Sequence, residues 1–171
     1  MQMNDKPILI CYDGSSGAAR AIETAAALVG PRRAVVLDVA SSMTPAESLA
    51  GTYSAMAGAA LAETHAAEAA RIAAEGTEIA RSSGFDAVAR GTRAVPTWEG
   101  IVEIADELDA PVIVVGSRGL RGLNEALHGS VSHQVAGHAG RPVLIVPPLT
   151  RRRRLAPSAA PLGHDGRKET K

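Results

Sequence analysis

Pro111-Val112-Ile113-Val114-Val115 runs into Gly116-Ser117-Arg118-Gly119, and the loop so begun closes at Gly129-Ser130, ahead of Val131-Ser132-His133-Gln134-Val135. The apolar run predicts a buried strand, the glycines a loop, and the residues after Ser130 a helix. A strand, a glycine-rich loop and a helix N-terminus in that order form an anion site. Glycines let a ligand approach the backbone and tolerate positive φ, and the free N–H groups of a helix start point at negative charge. Ser130 is placed to cap that helix or to offer its hydroxyl to a phosphate. The loop lacks the closing Gly-Lys-Ser/Thr of a Walker A motif, and it is not a GxGxxG after a first strand.

Outward from this loop the chain alternates strand and helix. Residues 6–12 (KPILICY) are a short, nearly all-apolar strand, suited to a parallel sheet covered on both faces. Asp13-Gly14-Ser15-Ser16-Gly17 is a turn in which Ser15 or Ser16 caps a helix over residues 18–29, stopped by Gly30-Pro31. Residues 34–40 (AVVLDVA) form a second buried strand. A polar loop over 41–54 leaves its end, and either folds over the site or is plain surface. A long alanine-rich helix spans 56–83, with Gly58 and Gly76 as weak points and Gly84 as its stop. Residues 85–91 alternate as a half-exposed edge strand. Pro96-Thr97 opens a helix to about Asp109 whose apolar face contains Trp98, Ile101, Ile104 and Leu108. A helix over 131–139 and a last strand over 142–147 (PVLIVP) complete a β-α-β-α-β-α-β-α-β order. That order predicts an α/β fold with a parallel sheet and right-handed crossovers.

The spacing Gly116, two residues, Gly119, nine residues, Gly129-Ser130 resembles the nucleotide loop of the universal stress protein family, in its ATP-binding branch. Asp13-Gly14-Ser15 after the first strand is similar to that family's Asp-x-Ser, which faces adenosine. The resemblance covers roughly residues 5–148. It implies an open five-stranded sheet of order 3-2-1-4-5 with helices on both faces, Rossmann-like and akin to the adenine nucleotide alpha hydrolases. In that order Asp13 and Gly116 meet at the topological switch point. The resemblance further implies that Asp13, Ser15 and Val39 contact the nucleoside and that Gly116, Gly119, Gly129 and Ser130 cradle phosphate. With the flanking Cys11, Tyr12, Val131 and Ser132, and with Arg118 covering the phosphates, they make up the candidate ATP site. It also implies a homodimer through the last strand, whose apolar edge invites pairing. On the residues themselves, Asp13 is equally a turn-forming Asx, and both roles hold together without conflict.

Composition narrows the function classes. The chain has 171 residues, 46% of them hydrophobic but only 2% aromatic, so the core is built from Ala, Val, Leu and Ile. A single Cys excludes an internal disulfide and fits a reducing compartment. Without an N-terminal secretory pattern or a run of transmembrane length, the expectation is a cytoplasmic protein with no membrane partner. Residues 151–171 carry seven basic against two acidic side chains, and the rest of the chain 11 against 16. Residues 1–149 therefore read as one acidic domain, and 150–171 as a basic, disordered tail. A solubilising role or a charge partnership with the domain is preferred to nucleic-acid binding for the Arg151–Arg154 run.

Catalytic chemistry is sparse. Cys11 lies in an apolar strand beside Asp13, which raises a thiol's pKa. His133 and His138 are five apart and do not share a helix face. His65 reads as a solvated or core-edge residue. Trp98 reads as core packing in preference to ligand stacking. His128, before Gly129, either lies near the phosphates or is an exposed loop residue. No carboxylate cluster for a protein-held metal is evident, so Mg²⁺ is expected to be held mainly by ATP. The expectation is an ATP-dependent regulator of a stress response in preference to an enzyme. The alternative is a slow ATP hydrolase or a phosphoryl or adenylyl transferase.

Overall fold

The computed structural model describes residues 5–40, 55–117 and 131–148, with side chains for all of them except 55–62. The elements are β1 (Ile8–Cys11), α1 (Ser16–Val29), β2 (Arg33–Ala40), α2 (Ala55–Ser82), β3 (Asp86–Arg93), α3 (Thr97–Glu107), β4 (Ile113–Gly116), α4 (Val131–His138) and β5 (Val143–Val146). The sheet order is β3-β2-β1-β4-β5 and every described pair is parallel, as the family resemblance implies. The register sets Ile10 against Val36 on one side and Val114 on the other.

Strand alternation divides the core in two. On one face Ile8 and Ile10 of β1 and Tyr12 just after it, with Val36 and Val114, pack against Ala21, Ile22 and Ala25 of α1 and Ala80 of α2. On the other, Leu9, Leu37, Val39, Ile113 and Val115 meet Ile101, Ile104 and Ala105 of α3 and Val135 of α4. Alanine on the helix side lets helix axes approach the sheet closely, which is how a chain with so few aromatics fills its interior. Ser15 caps α1, its Oγ accepting from the Ala18 N–H at 3.1 Å, and Gly30 closes the helix at φ 70°.

Two expectations change. Gly76 is a close-packing position and not a weak point of α2: a Cβ there would lie 2.6 Å from Cγ and Cδ1 of Tyr12. Gly116 is the last residue of β4, paired with Val146, and not the first residue of a loop. Trp98 is half-buried against the second core, in line with packing, and its ring stacks on that of His138 with centroids 4.4 Å apart. At the far end of the sheet, Arg141 donates from Nη1 to the carbonyls of Ala105 (2.7 Å) and Ala110 (2.8 Å) and pairs with Asp106. It thereby ties the end of α3 to the entry of β4. The 41–54 loop, Gly58's side of α2 and the 149–171 tail lie outside the described residues or side chains.

Candidate functional site

β1 and β4 are neighbours whose chains leave the sheet towards opposite faces. After β1 the chain enters α1 on the first core; after β4 it reaches α4 on the second. A crevice therefore opens between their carboxyl ends, where open α/β sheets take ligands. Tyr12-Asp13 and Gly116-Ser117 border it.

On the β1 side the chain turns sharply. Asp13 Oδ1 accepts from the Ser15 N–H at 3.1 Å, Gly14 adopts φ 80°, and Ser15 then caps α1. Asp13 is thus an Asx-turn residue, and Ser15 is 5% exposed, its oxygen turned into the helix start. On the β4 side, a Cβ on Gly116 would sit 3.2 Å from the carbonyl carbon and oxygen of Gly17 and 3.3 Å from the Ala18 nitrogen. The end of β4 and the first turn of α1 therefore meet backbone to backbone. Gly17 had no distinguishing mark in the sequence, where it reads as one more turn residue.

Of the other candidates, Tyr12 and Val39 turn their side chains away from the crevice. The Tyr12 ring packs under α2 in the first core. Its hydroxyl is held above the usual range by burial first, then by Glu75 and Asp13. Val39 is 4% exposed within the second core, 3.4 Å at Cγ1 from where a Gly100 Cβ would be. Both present main chain instead. The Tyr12 N–H donates to the Leu37 carbonyl at 2.9 Å, so Leu37 faces β1. Two residues on, Val39 has the same strand orientation as Leu37.

Cys11 is half-buried against the second core. Burial, with smaller contributions from Asp13 and Asp38, pushes its thiol up to about 12. At neutral pH it is a protonated, poor nucleophile. Asp38, beside Val39 near the end of β2, is buried, with 4% exposure. Ser132 is buried in the first turn of α4 and Val131 is exposed at its start. Arg118, Gly119, Gly129 and Ser130, like His128, lie outside the described residues. Among the described residues no group of three or more His, Cys, Asp or Glu side chains is arranged to hold a metal ion, and no helix is long and apolar enough to cross a membrane.

A sequence profile of the universal stress protein family matches residues 5–147. The chain belongs to the universal stress protein family. It is 31% identical over 147 residues to the universal stress protein YxiE of Bacillus subtilis, covering 81% of this chain and 97% of that one. Among solved structures it is similar to the hypothetical protein MJ0577, with TM-score 0.62, 25% identity, and coverage of 86% of this chain and 99% of that one. It is also similar to a universal stress protein in complex with cAMP, with TM-score 0.55, 26% identity, and coverage of 84% and 97%. The universal stress protein thus has the five-stranded parallel sheet of its relatives, with its crevice at the β1–β4 switch point.

Proposed function

We propose that this universal stress protein binds ATP in the β1–β4 crevice, with Mg²⁺ held mainly by the phosphates, and acts as a nucleotide-dependent regulator of a stress response. One observation carries the reading: at the switch point the end of β4 at Gly116 abuts the first turn of α1 at Gly17 and Ala18, into which the Asp13–Ser15 turn leads. The similar protein in complex with cAMP supports an adenine ligand. The end of β2 at Val39 lies near the adenine base, as the family resemblance implies. Asp13 and Ser15 meet the ribose, and Gly119, Gly129, Ser130 and Arg118 take the phosphates, as the glycine spacing implies. A cytoplasmic location belongs to the same reading.

The expected result of calorimetry is one ATP bound per chain, with AMP and cAMP competing for the same site. Absence of heat, together with no competition against a fluorescent ATP analogue, would refute the proposal. Turnover is expected to stay well below the common enzymatic range of roughly 1–10³ per second, since the site candidates include no evident general base to activate water. Steady hydrolysis within that range would favour the hydrolase or transferase reading.

The same proposal includes a homodimer through β5. The two edges of the sheet differ: β3 carries Asp86, Arg90 and Arg93, whereas β5 is Val143-Leu144-Ile145-Val146. Charges on an edge oppose strand pairing, and an apolar edge with an exposed Ile145 invites it. Ile145→Lys is expected to shift the sedimenting species from dimer to monomer at micromolar concentration. A wild-type chain that sediments as a monomer there would remove the dimer from the proposal.

A further inference from the structure

The crevice wall at Asp13 is anchored from behind. Tyr12 is 7% exposed, and its ring occupies the space that a side chain at position 76 would need. A Cβ on Gly76 would come within 2.6 Å of Tyr12 Cγ and Cδ1 and 3.0 Å of Tyr12 Cβ. We infer that Gly76 of α2 is a positioning residue for the nucleotide: its missing side chain seats Tyr12, and Tyr12 sets the direction in which Asp13-Gly14-Ser15 leaves β1. This inference rests on the nucleotide reading above for its functional consequence, but not for the contact itself.

A methyl group at position 76 has three ways to be accommodated, and their costs differ. Rotation of the Tyr12 ring does not suffice, because Tyr12 Cβ is among the crowded atoms and moves only with the backbone. Lifting α2 off the sheet opens a helix whose Ala69, Ala73 and Ala80 are each at most 1% exposed. That movement gives up apolar burial along the length of the helix. The third way moves the end of β1. The β1–β2 ladder ends at Cys11, and past it Tyr12 keeps its N–H bond to Leu37. Displacement there breaks that bond and shifts one ring of the first core, a more local change than lifting α2, and it carries Asp13 along. The charge environment agrees with this geometry, since the Tyr12 hydroxyl senses both Glu75, beside Gly76 on α2, and Asp13 in the turn. By linkage, whatever moves Tyr12 alters nucleotide affinity, and bound nucleotide in turn holds the Tyr12–α2 contact.

The test uses the full chain and two readouts. The first is amide exchange at Ser15 and Ala18, whose N–H groups donate to Asp13 Oδ1 and Ser15 Oγ. The second is ATP titration. Gly76→Ala is expected to speed exchange at both amides and to weaken ATP binding, each by roughly 5–20-fold, the size of a typical coupling between sites. Exchange in the β2–β3 ladder should not change. Once Tyr12→Ala has removed the ring and left only the 3.0 Å contact at Cβ, adding Gly76→Ala should change both readouts much less than it does in the wild type. Wild-type exchange at Ser15 and Ala18 in a folded Gly76→Ala protein would overturn the inference. So would an equal Gly76→Ala effect in the Tyr12→Ala background, because the methyl would then act through α2 alone. If Gly76→Ala does not fold, Tyr12→Phe and Tyr12→Ala decide: faster exchange in Tyr12→Ala only supports the inference, and wild-type rates in both refute it. If wild-type protein fails to bind ATP, the nucleotide reading falls, and the exchange measurements still decide whether Gly76 positions the turn.

Discussion

Gly91→Val is expected to cost about 3–4 kcal/mol of folding stability, the upper end of what overpacking a core produces. Gly91 sits on the edge strand β3 directly beneath α2. A Cβ there would lie 2.7 Å from Ala70 Cα and 2.8 Å from the Ala69 carbonyl carbon, with the Ala70 nitrogen nearer still. These are helix backbone atoms, which cannot rotate aside as a side chain would. The helix must lift, and Ala69 and Ala73, buried at 1% and 0% exposure, must lose their contacts with the sheet. A β-branched side chain adds two further methyl groups to the same overlap. Urea denaturation of the wild-type and variant proteins measures the difference. A loss below about 1 kcal/mol, near the centre of the range for ordinary substitutions, would mean that α2 slides along β3 without penalty, contrary to the packing described.

Gly116→Val is expected to reduce ATP affinity by at least about a hundredfold, or roughly 2.7 kcal/mol in binding free energy. Position 116 is where the two walls of the crevice meet. Its Cβ would stand 3.2 Å from the Gly17 carbonyl and 3.3 Å from the Ala18 nitrogen. The methyl groups of valine extend past that point into the first turn of α1. The turn must move, and with it the Ser15 cap and the Asp13 Asx turn. Gly116→Ala adds only the Cβ, at a distance that needs its neighbours to give by a few tenths of an ångström, and is expected to weaken binding much less. ATP titrations on both variants, with circular dichroism to establish folding, measure this. Wild-type affinity in a folded Gly116→Val protein would place the nucleotide away from the β1–β4 crevice.

Both substitutions exploit glycines whose reasons differ from those visible in one dimension. Gly116 stood out by its spacing to Gly119 and Gly129, yet it was read as a loop residue because glycine after an apolar run ordinarily ends a strand. The structure keeps it in β4, paired with Val146, because Gly17 leaves room for the close approach. Gly76 and Gly91 had no such spacing. In an alanine-rich helix a glycine looks like a propensity defect, and in an edge strand it looks like a terminus. Each is a contact surface, and its partner, Tyr12 or Ala70, is 64 or 21 residues away in the chain.

The sequence by itself determined the alternation of strands and helices, since apolar period and glycine or proline stops are local properties of the chain. It also narrowed the cap of the first helix to Ser15 or Ser16 and offered the Asx turn at Asp13 and the inertness of Cys11, because a hydroxyl, a carboxylate or a thiol acts on groups a few residues away. Tertiary structure alone decided which side chains the candidate site contains. Tyr12 and Val39 lie beside its residues in the chain, but strand alternation and the helices packed on each face bury their side chains and leave only main chain at the crevice. Which face of a strand is covered, and by how small a residue, depends on helices contributed from elsewhere in the chain, and no pattern local to residues 12 or 39 records it.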